Sequence, residues 1–199
     1  MPGLPPPPDF AAAKLEIETI STGRTFGRIY WSTYPNPLGY GKSPSRFSDP
    51  RRRVDVNRFG VLYLGDSLKV CFLETVLRDR REGIFDDLPI EEVELIRRRY
   101  AEIATTTPGR PQRRQCRSDG CADRCRSGTA PEPGAPVVAG VSRAPSEPDG
   151  VIYPSRLNGA TNLAIYDRAV PKLQPKRVMT LLGAPGLAQV LEDFRVGLV

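Results

Sequence analysis

The chain has 199 residues, enough for one domain with a real core. Only 39% of them are apolar while Pro 21 and Gly 18 are abundant, so part of the chain is expected to stay outside that core. The formal charge is +6 and histidine is absent, which excludes histidine-based catalysis and most zinc-enzyme ligand sets.

Met1 to Pro8 is a proline-rich lead without the basic and apolar segments of a signal peptide. No stretch reaches the ~18 apolar residues of a membrane span, so a cytoplasmic protein is expected. Phe10 to Ile20 reads as a short helix through Ala11–Leu15, and Arg28-Ile29-Tyr30-Trp31 as a strand of β-branched and aromatic residues. Tyr34 to Pro50 is a loop rich in Pro, Gly and Ser that holds Ser45-Arg46-Phe47-Ser48; loops of this length are more often functional than idle. Gly60 to Leu64 reads as a buried strand. Asp66 and Ser67 are N-cap residues for a helix running from Leu68 to Leu77, with apolar side chains at 68, 71, 72 and 76. Glu74 stands out in that helix. It is either at an edge reaching water or held with partners in a low-dielectric site.

After a polar exit at 78–83, Pro89 opens a predicted second helix with Ile90, Val93, Ile96 and Tyr100 on one face and Leu95 off it. Arg97-Arg98-Arg99 then suit the dipole at its C-terminal end. Val151–Leu157 and Thr161–Tyr166 flank Asn158-Gly159, a hairpin signal, and Pro185 opens a last helix through Leu187, Val190, Leu191 and Phe194.

Residues 108–145 interrupt this order, with neither a helical nor a strand period. Seven arginines against Asp119, Asp123 and Glu132 place +4 of the +6 there, so the rest is near neutral and a broad nucleic-acid-binding face is not expected. Cys116, Cys121 and Cys125 have C-x4-C-x3-C spacing without a paired CxxC, a poor zinc signature. A disordered basic insert is the ordinary reading. A compensated frameshift is another: shifted forward by one base, permitted codons for residues 137–145 read Trp-Ser-Leu-Ala-Phe-His-Glu-His-Pro.

Four pieces, in order, resemble the RES domain family, named for its arginine, glutamate and serine. They are Gly27-Arg28-Ile29-Tyr30; Ser45-Arg46-Phe47; Val61-Leu62-Tyr63-Leu64 followed by Phe72-Leu73-Glu74-Thr75; and Asp149 to Leu157 with Tyr153-Pro154-Ser155-Arg156. The resemblance covers about residues 26–106 and 148–171 and departs at 108–145. It implies an α/β (α+β) fold with an ADP-ribosyltransferase-like sheet core and flanking helices. The layout is a flexible lead over 1–25, then one domain over 26–199 with an irregular insert. NAD is the implied substrate and no cofactor is required. Family members are bacterial toxins that degrade NAD or transfer its ADP-ribose, and an Xre-type antitoxin neutralises them, its C-terminal end reaching the active site.

The residue types suit this chemistry. Cleaving the nicotinamide–ribose bond passes through an oxocarbenium-like centre that a carboxylate such as Glu74 stabilises. Arg28 and Arg46 are forks for the pyrophosphate. Tyr63 can stack on nicotinamide, Ser155 can position the ribose or the attacking group, and Arg156 and Lys42 are further phosphate ligands. Each also has an ordinary structural reading: Arg28 a surface ion pair, Arg46 a loop anchor, Tyr63 core, Ser155 a hairpin residue. Two other functions fit the chain: an inactive RES protein that only binds antitoxin or NAD, and a basic nucleic-acid-binding protein using Arg110 to Arg126. That last stretch lacks an aromatic residue for stacking.

Overall fold

In the computed structural model, residues 17–43, 45–49, 58–78, 80, 87–113, 148–155 and 157–199 are described. The apolar alternation of the first strand, β1 (Thr25–Trp31), leads into a mixed sheet with β2 (Val61–Gly65), β4 (Arg98–Thr105), β5 (Gln112–Arg113), β6 (Gly150–Pro154), β7 (Thr161–Tyr166) and β8 (Leu173–Thr180). The strand order is β5-β6-β7-β2-β1-β4-β8, and every neighbouring pair is antiparallel except β5 with β6. A short parallel pair, β3 (Leu88–Ile90) with β9 (Val196–Leu198), stands apart. Among the described residues there are three α-helices: α1 (Leu68–Thr75), α2 (Glu92–Ile96) and α3 (Leu187–Asp193). The α/β (α+β) class expected from the sequence is the one observed.

The sheet buries both faces. On one, Phe26, Tyr30, Leu62, Leu64, Ala101, Ile103, Leu163 and Ile165 form a core closed by Ile20, Ala169 and Leu173. On the other, Ile29 and Tyr100 meet α1, α2, α3 and the β3–β9 pair through Cys71, Phe72, Leu77, Leu88, Leu95 and Leu187. Beside them Phe47, Val61, Tyr153 and Tyr166 form an aromatic cluster.

Several local readings hold. Ser67 caps α1, its hydroxyl accepting from the Val70 amide at 3.3 Å. The other predicted cap, Asp66, instead accepts from the Thr161 amide at 3.1 Å and ties the start of α1 to β7. The hairpin forms between β6 and β7, with Gly159 at φ 72 in the turn. The last helix is α3.

The predicted helix from Pro89 to Tyr100 is corrected by the structure. Leu88–Ile90 pairs with β9, only Glu92–Ile96 is helical, and Arg98 onward is β4. The spacing of Val93 and Ile96 was coincidental: both are exposed, and the buried residue is Leu95. Pairing of β4 with β1 on one side and β8 on the other outweighs the local helical pattern. Arg98 accordingly does not serve a helix dipole of its own; it is buried in the strand. Most of the predicted helix over 10–20 lies outside the described residues, and Ile20 forms a bridge with Gly109. The start of the 108–145 segment enters the sheet as β5, whereas 114–145 with its three cysteines lies outside the described residues.

Candidate functional site

In the middle of the sheet the pairings are long except at one place. β1 pairs with β4 at seven positions and β2 with β7 at five, but β1 and β2 meet at Gly27–Gly65 alone. Where the two strands part, a cleft of about 640 Å³ opens, within the usual size range of small-molecule sites. Strand alternation puts Arg28 and Ile29 on opposite faces of β1, yet both line the cleft because the sheet is split there. Val61 and Tyr63 of β2 face them, and the loop residues Gly41, Ser43, Ser45 and Arg46 form another wall.

The Gly27–Gly65 pair also explains how close α1 comes. A Cβ at Gly65 would stand 2.9 Å from Cys71 Sγ, and one at Gly27 would stand 3.0 Å from that sulfur and 2.8 Å from the Tyr100 hydroxyl. Two side chains are therefore missing where α1 lies down on the sheet. Cys71 fills the space, and burial pushes its thiol up to about 12, so it packs as a neutral apolar group. One turn further on, Glu74 reaches into the cleft.

Glu74 is half-buried, and its Oε1 accepts a hydrogen bond from Asn162 Nδ2 at 3.1 Å. Arg28, Arg46 and Arg78 line the same cleft, yet among the described residues none of them forms an ion pair with Glu74. Arg28 donates to the Pro37 carbonyl and lies 5.5 Å from the centre of the Tyr30 ring. Burial lowers its guanidinium to about 10, with Tyr30 opposing the shift. The Arg46 guanidinium stands 5.3 Å from the Phe47 ring and 5.4 Å from the Tyr153 ring. Burial raises the Tyr153 phenol above its ordinary value, which keeps it neutral beside these charges.

Tyr63 is half-exposed to the cleft, with its hydroxyl 2.9 Å from Ser45 Oγ and accepting from the Phe47 amide at 3.1 Å. Tyr63 thereby fastens the Ser45–Ser48 turn, in which the Ser48 hydroxyl also donates to the Ser45 carbonyl. Phe47 is buried against Tyr153 at 4.6 Å between ring centres.

The structure thus gathers Glu74, Arg28, Arg46 and Tyr63 around one cleft. It sets Ser155 apart. That residue is buried two positions beyond Tyr153, outside the cleft lining, and its hydroxyl accepts from the Leu157 amide at 3.2 Å. Its backbone closes the hairpin, donating to the Ala160 carbonyl at 2.7 Å and accepting from Gly159 at 3.0 Å. Lys42 is on the exposed loop outside the lining, and Arg156 lies outside the described residues. Asn162 and Arg78 were missed from the sequence. Arg78 reaches the cleft from the turn after α1, which ends at Thr75, and Asn162 comes to Glu74 through the pairing of β7 with β2.

Comparison with known proteins gives the family and a similar fold. The RES domain family matches residues 24–185. A protein named "Probable toxin y4kH" from Sinorhizobium fredii (strain NBRC 101917 / NGR234) is 50% identical over 54 residues, 27% of this chain and 42% of that protein. The chain therefore aligns with less than half the length of this relative. In fold, the chain is similar to one from the crystal structure of the M. tuberculosis MbcT–MbcA toxin–antitoxin complex. That match has a TM-score of 0.54 at 17% identity and covers 89% of this chain and 91% of the other. With the family match running from β1 past β8 and enclosing the whole cleft, the chain belongs to the RES domain family.

Proposed function

We propose that this protein is the toxin of a two-protein system, that it binds NAD in the cleft and that it cleaves the nicotinamide–ribose bond. The observation that carries the reading is the separation of charge inside one cavity. Glu74 is held by a neutral amide, while three arginines share the cleft without pairing to it. A carboxylate held by a neutral amide suits a developing cation, and arginines lining the same cleft suit a pyrophosphate.

In this mechanism Arg28 and Arg46 bind the pyrophosphate, and the Tyr63 ring, fixed through its hydroxyl, lies against the nicotinamide. The bond between C1′ and the ring nitrogen breaks with its electron pair leaving on nicotinamide, which departs neutral. Glu74 stabilises the positive charge that grows on the ribose and hydrogen-bonds its hydroxyls. An acceptor that gives up a proton, whether water, phosphate or a protein side chain, then takes the ADP-ribosyl group. Ser155 contributes by closing the hairpin that presents Tyr153 to the cleft.

The partner we propose is an Xre-type antitoxin, in line with the toxin–antitoxin complex to which the fold is similar. The test is NAD consumption by the purified chain, followed by release of nicotinamide, with and without the cognate antitoxin. Wild-type protein is expected to consume NAD, Glu74→Gln to leave it intact, and the antitoxin to suppress turnover. A folded wild-type chain that leaves NAD unchanged overturns the reading.

A further inference from the structure

Asn162 is 4% exposed on β7 and in register with Gly65. Through that glycine it stands in one row of the sheet with Tyr153 on one side and Gly27 on the other. Asparagine is disfavoured in strands, and a buried amide costs free energy unless its polar atoms are bonded. An apolar residue would serve the sheet better, so the reason for the amide lies in what it touches.

It touches Glu74. A carboxylate only accepts hydrogen bonds, so the –NH2 of the amide has to face it and the carbonyl oxygen has to turn away. The contact therefore fixes both side chains, and it does so without adding charge. A lysine or arginine here would cancel the carboxylate, and an aspartate would repel it. Glycines at 65 and 27 let α1 approach closely enough for the 3.1 Å contact to form.

We propose that Asn162 is the positioning residue of the reaction: a neutral donor that holds the Glu74 carboxylate in its reactive orientation while leaving its charge for the substrate. This rests on the NAD-cleaving reading above. The groups facing the pair from the surrounding elements are the guanidinium groups of Arg28, Arg46 and Arg78 and the neutral side chains of Tyr63, Tyr153 and Cys71.

The test compares Asn162→Ala and Asn162→Asp with wild type. Asn162→Ala is expected to lower kcat about tenfold to a hundredfold, the scale of a misplaced catalytic group, while KM for NAD stays within about threefold. Asn162→Asp sets two carboxylates against each other, so the pair takes up a proton at higher pH than the wild-type site does. The acid limb of its pH–rate profile is expected to move up by about one unit or more. A wild-type kcat in Asn162→Ala, or an unmoved acid limb in Asn162→Asp, overturns the proposal. A readout without turnover separates it from the reading beneath it. In carboxyl carbon NMR, the Glu74 signal of Asn162→Asp is expected to titrate at higher pH than that of wild type. If wild type consumes no NAD but this shift is present, the activity reading fails and the pairing stands; an unshifted signal sinks the inference whatever the activity.

Discussion

The last turn of α1 separates two clusters of the same residue types in opposite arrangements. On one side Glu94 is gripped by Arg80 at 2.7 and 3.0 Å and by Arg98 at 2.7 Å, and Arg98 also stacks on Trp31 at 4.1 Å and reaches the Thr75 carbonyl at 3.4 Å. On the other side, Glu74 and the cleft arginines remain apart. In the first cluster the carboxylate is neutralised, and Arg98 anchors the C-terminal end of the helix, whose own last turn carries no basic residue. In the second the carboxylate is held by the Asn162 amide instead of a guanidinium. Position in the sheet makes the difference: Glu94 and Arg98 are one helical turn apart at the entry to β4, whereas Glu74 faces the gap between β1 and β2.

The comparison can be broken from either side. The largest expected effect is on stability: Glu94→Ala leaves Arg98, 5% exposed, as an uncompensated buried charge and should cost about 3–5 kcal/mol in urea unfolding. Next is Gly65→Ala, whose Cβ would meet Cys71 Sγ at 2.9 Å and lift α1 off the sheet. It should cost about 1–3 kcal/mol of stability and carry Glu74 away from Asn162, lowering NAD turnover by up to about a hundredfold. A smaller effect concerns pH. Arg28 is lowered to about 10 by burial, so its charge is present at neutral pH and lost as pH rises through that value. NAD affinity, measured by calorimetry, should fall as pH approaches 10, and the fall should be absent in Arg28→Ala. The smallest lies at acid pH. Burial pushes the Glu94 carboxyl up, but Arg80 and Arg98 outweigh it and hold it below its ordinary 4.5. A carboxylate lowered in the folded state contributes stability that is full above its unfolded value and lost as pH falls through the folded one. Wild type should therefore lose more stability below pH 4.5 than Glu94→Gln does.

What was legible in the sequence was local. Ser67 caps a helix from its own three following residues, Asn158-Gly159 marks its own turn, and Glu74 stands out as a carboxylate among apolar neighbours. What was not legible depends on pairing across the chain. β4 has helical neighbours and a helical apolar spacing, and only β1 and β8 make it a strand. β8, with Lys176, Arg177 and Val178 exposed, carries no buried stripe to announce it, being an edge strand. Asn162 carries no local signal of its role because its partner is 88 positions away. Ser155 sits outside the cleft for a reason equally invisible from sequence: its hydroxyl and backbone are occupied in closing the hairpin.

The most direct test pairs the two carboxylates, Glu74→Gln and Glu94→Gln, in parallel measurements of NAD turnover and thermal unfolding. Glu74→Gln should reduce turnover by about 10²–10³-fold with Tm equal to or above wild type, because among the described residues the Glu74 carboxylate forms no ion pair and is bonded by a neutral amide. Glu94→Gln should lower Tm by several degrees while a folded sample still consumes NAD. If Glu74→Gln instead lowers Tm and leaves turnover intact, the cleft carboxylate is structural and the contrast between the two clusters is wrong.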